Sequence, residues 1–183
     1  MNKTGLVLEG GAMRGLFTAG VLDVFLENNI GFDGCIGVSA GAAFGCTYHS
    51  GQKGRTIRYN KRFAKDPRYC SLRSWIKTGD LYGVVFCYRE LPEELDKFDN
   101  DAFIKNPAVY EAMARRHEEY NRMMELMEVL EEKGEILVIR PPEKLPVGHI
   151  EHDPDKMQTT YDIGRAEAQK YIKKVKEFIK KEG

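Results

Sequence analysis

A parallel α/β fold is predicted by three observations: two short apolar runs that each end in a glycine cluster, a helical stretch after each cluster, and the resulting order β, α, β, α. The chain has 183 residues. That suits a single domain spanning residues 1–183, one that buries roughly 70% of the surface its unfolded form exposes.

Residues 4–8, TGLVL, form an apolar run closed by Gly10-Gly11, the pattern of a buried parallel strand. From Leu16 the apolar residues Val21, Leu22, Phe25 and Leu26 recur at helical spacing, and Asn28-Asn29 with Gly31 ends that helix. Residues 34–38 give a second strand, and residues 40–48 a helix of small residues. Asn106-Pro107 supplies an N-cap and a first-turn proline for a long helix running to Gly134. Residues 135–139, EILVI, read as a last strand before Pro141-Pro142. The tail from about 160 to 182 reads as a closing helix whose lysine-rich end complements the helix dipole.

Lysine plus arginine balance aspartate plus glutamate at 28 each, so overall charge gives no reason to expect nucleic acid as a partner. Locally the balance shifts. Between residues 51 and 77 nine lysines and arginines face the single acid Asp66, interleaved with Tyr59, Phe63, Tyr69 and Trp75. A solvated helix face with its aromatics turned inward is the favoured reading. Peripheral contact with an anionic membrane comes second, and nucleic acid last. Cys35, Cys46, Cys70 and Cys87 lie singly, as reduced thiols of a cytoplasmic protein do, and no apolar run is long enough to span a bilayer.

The chemistry is concentrated in the two glycine clusters. EGGAMRG, residues 9–15, has Ala12 where the third position of a dinucleotide fingerprint requires glycine, and it lacks the lysine of a phosphate loop. What it retains is a turn of backbone N–H groups at the positive end of the following helix, suited to holding an oxyanion. GVSAG, residues 37–41, places Ser39 between Gly37 and Gly41 in a strand–turn–helix context, the requirement for a nucleophile elbow. The two turns end neighbouring strands, so both fall at the carboxyl edge of the sheet, where α/β sites are built.

EGGAMRG followed by a helix and GVSAG resembles the patatin-like phospholipases, especially their bacterial cytosolic members. The specific match covers residues 4–50; the segment up to 106 and the part after 135 match more loosely. The resemblance implies a three-layer fold with a parallel sheet and a carboxylic ester hydrolase acting on lipid esters, without metal or organic cofactor. It makes Ser39 the nucleophile and the backbone around Gly10, Gly11 and Ala12, with Arg14, the oxyanion hole. Plant members have glycine where this chain has Ala12.

The family pairs its serine with an aspartate in a downstream Asp-Gly-Gly or Asp-Gly-Ala motif, and no such motif follows Ser39. The only Asp-Gly pair, Asp33-Gly34, precedes the second strand and is not assigned a role. The central strands that would carry the aspartate are expected to be missing near 106/107, either through a true deletion or because residues of a longer molecule are absent from this sequence there. Two alternatives follow: a catalytically silent lipid- or acyl-binding protein, and an acyltransferase or thioesterase using the same elbow. His49, His117, His149 and His152 are read as surface or core residues ahead of triad members. The pair His149 and His152 is read as a loop feature ahead of a metal site.

Overall fold

The computed structural model of the protein describes residues 3–69, 86–97, 99 and 127–181. Strand β1 (Gly5–Leu8) and strand β2 (Gly34–Gly37) pair in parallel, with Gly5 opposite Gly34 and Leu8 opposite Gly37. Helix α1 (Leu16–Glu27) crosses between them after a 3-10 turn at Ala12–Gly15. Helix α2 (Ala40–His49) leaves β2 through Val38 and Ser39. Helix α3 (Arg55–Phe63) follows, then a π-helical segment, Phe86–Leu95, that contains Pro92, and finally a long helix, α4 (Pro154–Lys181). The described part is thus mixed helix and parallel strand.

The first four elements lie where the local signals place them, because each is bounded by glycine or asparagine and needs no distant partner to define it. The strands depart from expectation in burial. Leu8 is buried and Leu6 half-buried, but Val7 and Ile36, opposite each other in the register, are 65% and 51% exposed. Among the described residues, the pair is therefore covered on one face only, and the fully buried strand is corrected to a half-covered one.

Two further corrections concern the C-terminal third. Residues 135–139 make no ladder with either described strand. The helical stretch 127–132 ends at Gly134, where φ is 72°, with the Glu135 amide donating back to the Leu130 carbonyl. The chain then runs on without regular structure, with Leu137 and Ile139 packed against the core and no strand pairing among the described residues. Residues 106–126 of the expected long helix lie outside the described residues. The closing helix begins at Pro154, about six residues before the expected start. Asp153 caps it, its carboxylate accepting the Asp155 amide at 2.9 Å, and Pro154 takes the first helical position.

Helix α1 is the centre of the core, with Leu16 and Val24 fully buried and α4 laid along it. The crossing is close because glycines face backbone. A Cβ on Gly20 would sit 2.2 Å from the Tyr161 carbonyl oxygen, and one on Gly164 would sit 2.0 Å from that of Phe17. Beside this crossing the buried Asp23 accepts from the Tyr161 hydroxyl at 2.7 Å and the Gly54 amide at 2.9 Å, which ties α1 to α4 and to the start of α3. On the rim, Arg165 donates to Glu27 at 2.7 Å.

Burial raises the Asp23 carboxyl above its ordinary range, although both hydrogen bonds and Arg165 pull it down. A folded-state pKa above the unfolded one means that the native protein binds the extra proton. Asp23 therefore costs stability as pH rises through that window and costs nothing below the unfolded value. The Asp23→Asn substitution retains an acceptor oxygen without the charge. It is expected to raise Tm at pH 7 by roughly 2–4 °C, with the gain fading as pH falls toward about 4. Thermal melts of both proteins across that range check the sign.

Candidate active site

The site grows from the ends of β1 and β2. The Val38 amide donates to the Leu8 carbonyl at 2.9 Å, extending the ladder by one bond before the chain turns. Ser39 then adopts φ 53° and ψ −121°, a region that side-chain-bearing residues avoid. Holding a serine there costs on the order of 1–3 kcal/mol, and such strain persists only where the surroundings enforce it. Here they do. The Gly41 amide donates to the Val38 carbonyl at 2.9 Å and the Ala42 amide to the Ser39 carbonyl at 3.0 Å, closing the first turn of α2 directly over the bend.

The flanking glycines are required by contact. A Cβ on Gly37 would lie 2.5 Å from the Ala42 Cα, and one on Gly41 would lie 2.5 Å from the Leu8 carbonyl oxygen and 2.6 Å from that of Glu9. Any side chain at either position would push α2 away from the strand ends. Ser39 itself is exposed at the bend, and no described side chain hydrogen-bonds its hydroxyl.

The glycine turn closes onto the same spot. A Cβ on Gly10 would be 2.9 Å from the Val38 carbonyl oxygen and 3.1 Å from the Ser39 Cβ, so the two clusters are in van der Waals contact at the serine. Gly15 seats the 3-10 turn on α2, where a Cβ would meet the Phe44 ring at 2.9 Å. Ala12 has φ 48°, the left-handed conformation that glycine adopts freely, which gives a physical reason for a third glycine in related turns. Among the described residues, the amides of Gly10, Gly11 and Ala12 have no hydrogen-bond acceptor. Ala40, at the first position of α2, is in the same situation. No motif marks Ala40 as a donor, although the first amides of a helix always lack an intrahelical partner. The start of α2 therefore places positive potential beside Ser39, its N-cap.

Arg14 lies over this turn, its Nε 3.8 Å from a Cβ on Gly11, and its Nη2 bonds His149 Nε2 at 2.8 Å. The other histidines are elsewhere. His49 is the last residue of α2, about 15 Å along the helix from Ser39 at 1.5 Å per residue, and burial pulls its pKa down. His152 Nδ1 meets the Ala64 carbonyl at 2.6 Å, and His117 lies outside the described residues. Asp33 accepts from the Thr4 amide and hydroxyl at 2.8 and 3.2 Å, at the opposite end of the strands from Ser39. Among the described residues no three His, Cys, Asp or Glu side chains form a metal-ligand set.

The basic segment has its own structural partners. Tyr59 and Phe63 of α3 are buried, and Arg58 makes two 2.8 Å bonds to the carboxylate of Asp96. Arg55 contacts the same carboxylate at 3.2 Å, and Lys61 reaches Gln158 at 2.9 Å. No described helix is long and apolar enough to cross a membrane.

A family model described as a domain of unknown function, DUF6363, matches residues 106–180, starting at the Asn106-Pro107 junction and covering α4 but neither glycine cluster. No curated protein and no solved structure matches the chain.

Proposed function

We propose that the protein is a cytoplasmic serine acyl hydrolase of lipid esters with a three-layer patatin-like architecture. Ser39 Oγ attacks the acyl carbonyl, and the amides of Gly10, Gly11, Ala12 and Ala40 hold the tetrahedral oxyanion. Collapse of that intermediate breaks the ester C–O bond and expels the alcohol, which takes up the proton lost by Ser39; water then hydrolyses the acyl-serine to the free acid and restores the Ser39 hydroxyl. The observation that carries the reading is the strained backbone of Ser39 in contact with a turn whose amides have no other described acceptor. Preorganised donors of this kind are worth about 3–4 kcal/mol each to a transition state. Peripheral contact with an anionic bilayer belongs to the same proposal and falls to exposed cations such as Lys65, since Arg55 and Arg58 are bound to Asp96 and Lys53 is paired with Glu27.

A second reading is favoured by one specific fact: no described base reaches Ser39 Oγ, and the chain has no Asp-Gly-Gly or Asp-Gly-Ala motif after it. A pocket with oxyanion donors and no base is a binder of acyl groups that does not turn over. An acyltransferase or thioesterase would share the acyl-serine intermediate, the first differing in the acceptor and the second in the thiol it expels.

A fluorophosphonate followed by intact-mass and peptide analysis separates these readings. The hydrolase reading expects one adduct, on Ser39, absent from Ser39→Ala. An unmodified wild type supports the silent binder, and transfer of a donor acyl group to an added thiol supports the acyltransferase. Thiols should compete little, since burial pushes Cys35 up to about 11 and raises Cys46.

A further inference from the structure

The loop before α4 is fastened at several points. Val147 is buried and Leu145 packs on the core. The Glu151 carboxylate accepts the amides of His152 and Asp153 at 2.9 and 3.0 Å, and His152 is tied to Ala64. Between these anchors His149 touches the glycine turn twice. Its carbonyl accepts the Met13 amide at 3.4 Å and its Nε2 meets Arg14 Nη2 at 2.8 Å. A guanidinium has donors only, so the contact is a hydrogen bond only with Nε2 as the acceptor and the ring proton on Nδ1.

We propose that His149 is a positioning residue for the oxyanion turn: its ring holds the Arg14 guanidinium over Gly11 while its carbonyl takes the Met13 amide, leaving the amides of Gly10 to Ala12 aimed at the reacting carbonyl. The proposal rests on the serine acyl-transfer reading. It gives the segment matching the domain of unknown function a role at a site whose other residues all lie outside that match. His149 touches no reacting atom. Its effect runs through the orientation of the turn, and the donors there must be in place before charge develops.

The test compares fluorophosphonate labelling rates of Ser39 in wild type, His149→Ala, His149→Gln, Arg14→Ala and the double alanine variant. His149 and Arg14 are both exposed, so the melting temperature should hold while His149→Ala slows labelling about tenfold or more. His149→Gln presents an oxygen acceptor to the guanidinium and should restore the rate to within about threefold of wild type. The double variant should be no slower than the slower single one, because both break one contact. Wild-type rates in His149→Ala, or no rescue by glutamine, overturn the proposal. Imidazole nitrogen shifts give an independent readout: a proton-free Nε2 in wild type, changed in Arg14→Ala, supports the brace, and a protonated Nε2 overturns it. If wild type is not labelled at all, the hydrolase reading falls and the catalytic meaning of His149 falls with it, while the nitrogen shifts still decide whether the contact exists.

Discussion

Gly41→Ala is expected to lower the labelling rate of Ser39 by at least about a hundredfold and stability by about 2–3 kcal/mol. The new Cβ would enter within 2.5 Å of the Leu8 carbonyl and 2.6 Å of the Glu9 carbonyl, both backbone groups with no side-chain rotation to yield. Relief requires α2 to lift from the end of β1. That movement separates Ser39 from the glycine turn, because the Gly41 amide bonded to the Val38 carbonyl is part of the bend itself. Gly31→Ala is the control, since a Cβ there meets nothing within 4 Å. Labelling time courses and thermal melts on the three proteins test the claim. Unchanged kinetics in Gly41→Ala would show that the elbow does not need its second glycine.

Asp96→Ala should cost about 3–5 kcal/mol, the range found when one partner of a buried ion pair is removed. Asp96 is 7% exposed and serves two arginines, and the Arg55 side chain is itself 6% exposed. Arg55 also donates to the Asp96 backbone carbonyl and lies over the Tyr59 ring, at 5.2 Å from its centroid. Removing the carboxylate takes the nearby opposite charge from a buried guanidinium. Asp96→Asn should cost less, because an amide oxygen still accepts one bond. Chemical denaturation of both variants measures the difference. Equal small losses would mean that water reaches Arg55 and that the network is a surface feature.

The elements around the site are legible in the sequence because their determinants are local. β1, α1, β2 and α2 are each specified by an apolar run and a nearby glycine or asparagine, and Gly37, Ser39 and Gly41 encode a backbone bend within five residues. Where partners are remote the reading fails. The apolar run in EILVI fits a strand, but a strand also needs a neighbour to pair with. Here Leu137 and Ile139 pack on the core without pairing to a described strand. The two arginines that fasten α3 lie 41 and 38 residues from their aspartate, and Arg14 is 135 residues from His149. Nothing in either local sequence announces such a contact. The early start of α4 is a different case, since Asp153 and Pro154 form an ordinary cap and first turn that a search for apolar period passes over.

The account depends on Ser39 and the amides of the glycine turn sharing one reacting centre, and the structure of the phosphonylated protein measures that most directly. The account predicts a phosphorus bonded to Ser39 Oγ with its free oxygen about 2.7–3.1 Å from amides of the Gly10–Ala12 turn and Ala40. A phosphonyl oxygen pointing to solvent, with those amides bound elsewhere, would contradict it, as would an adduct on any residue other than Ser39.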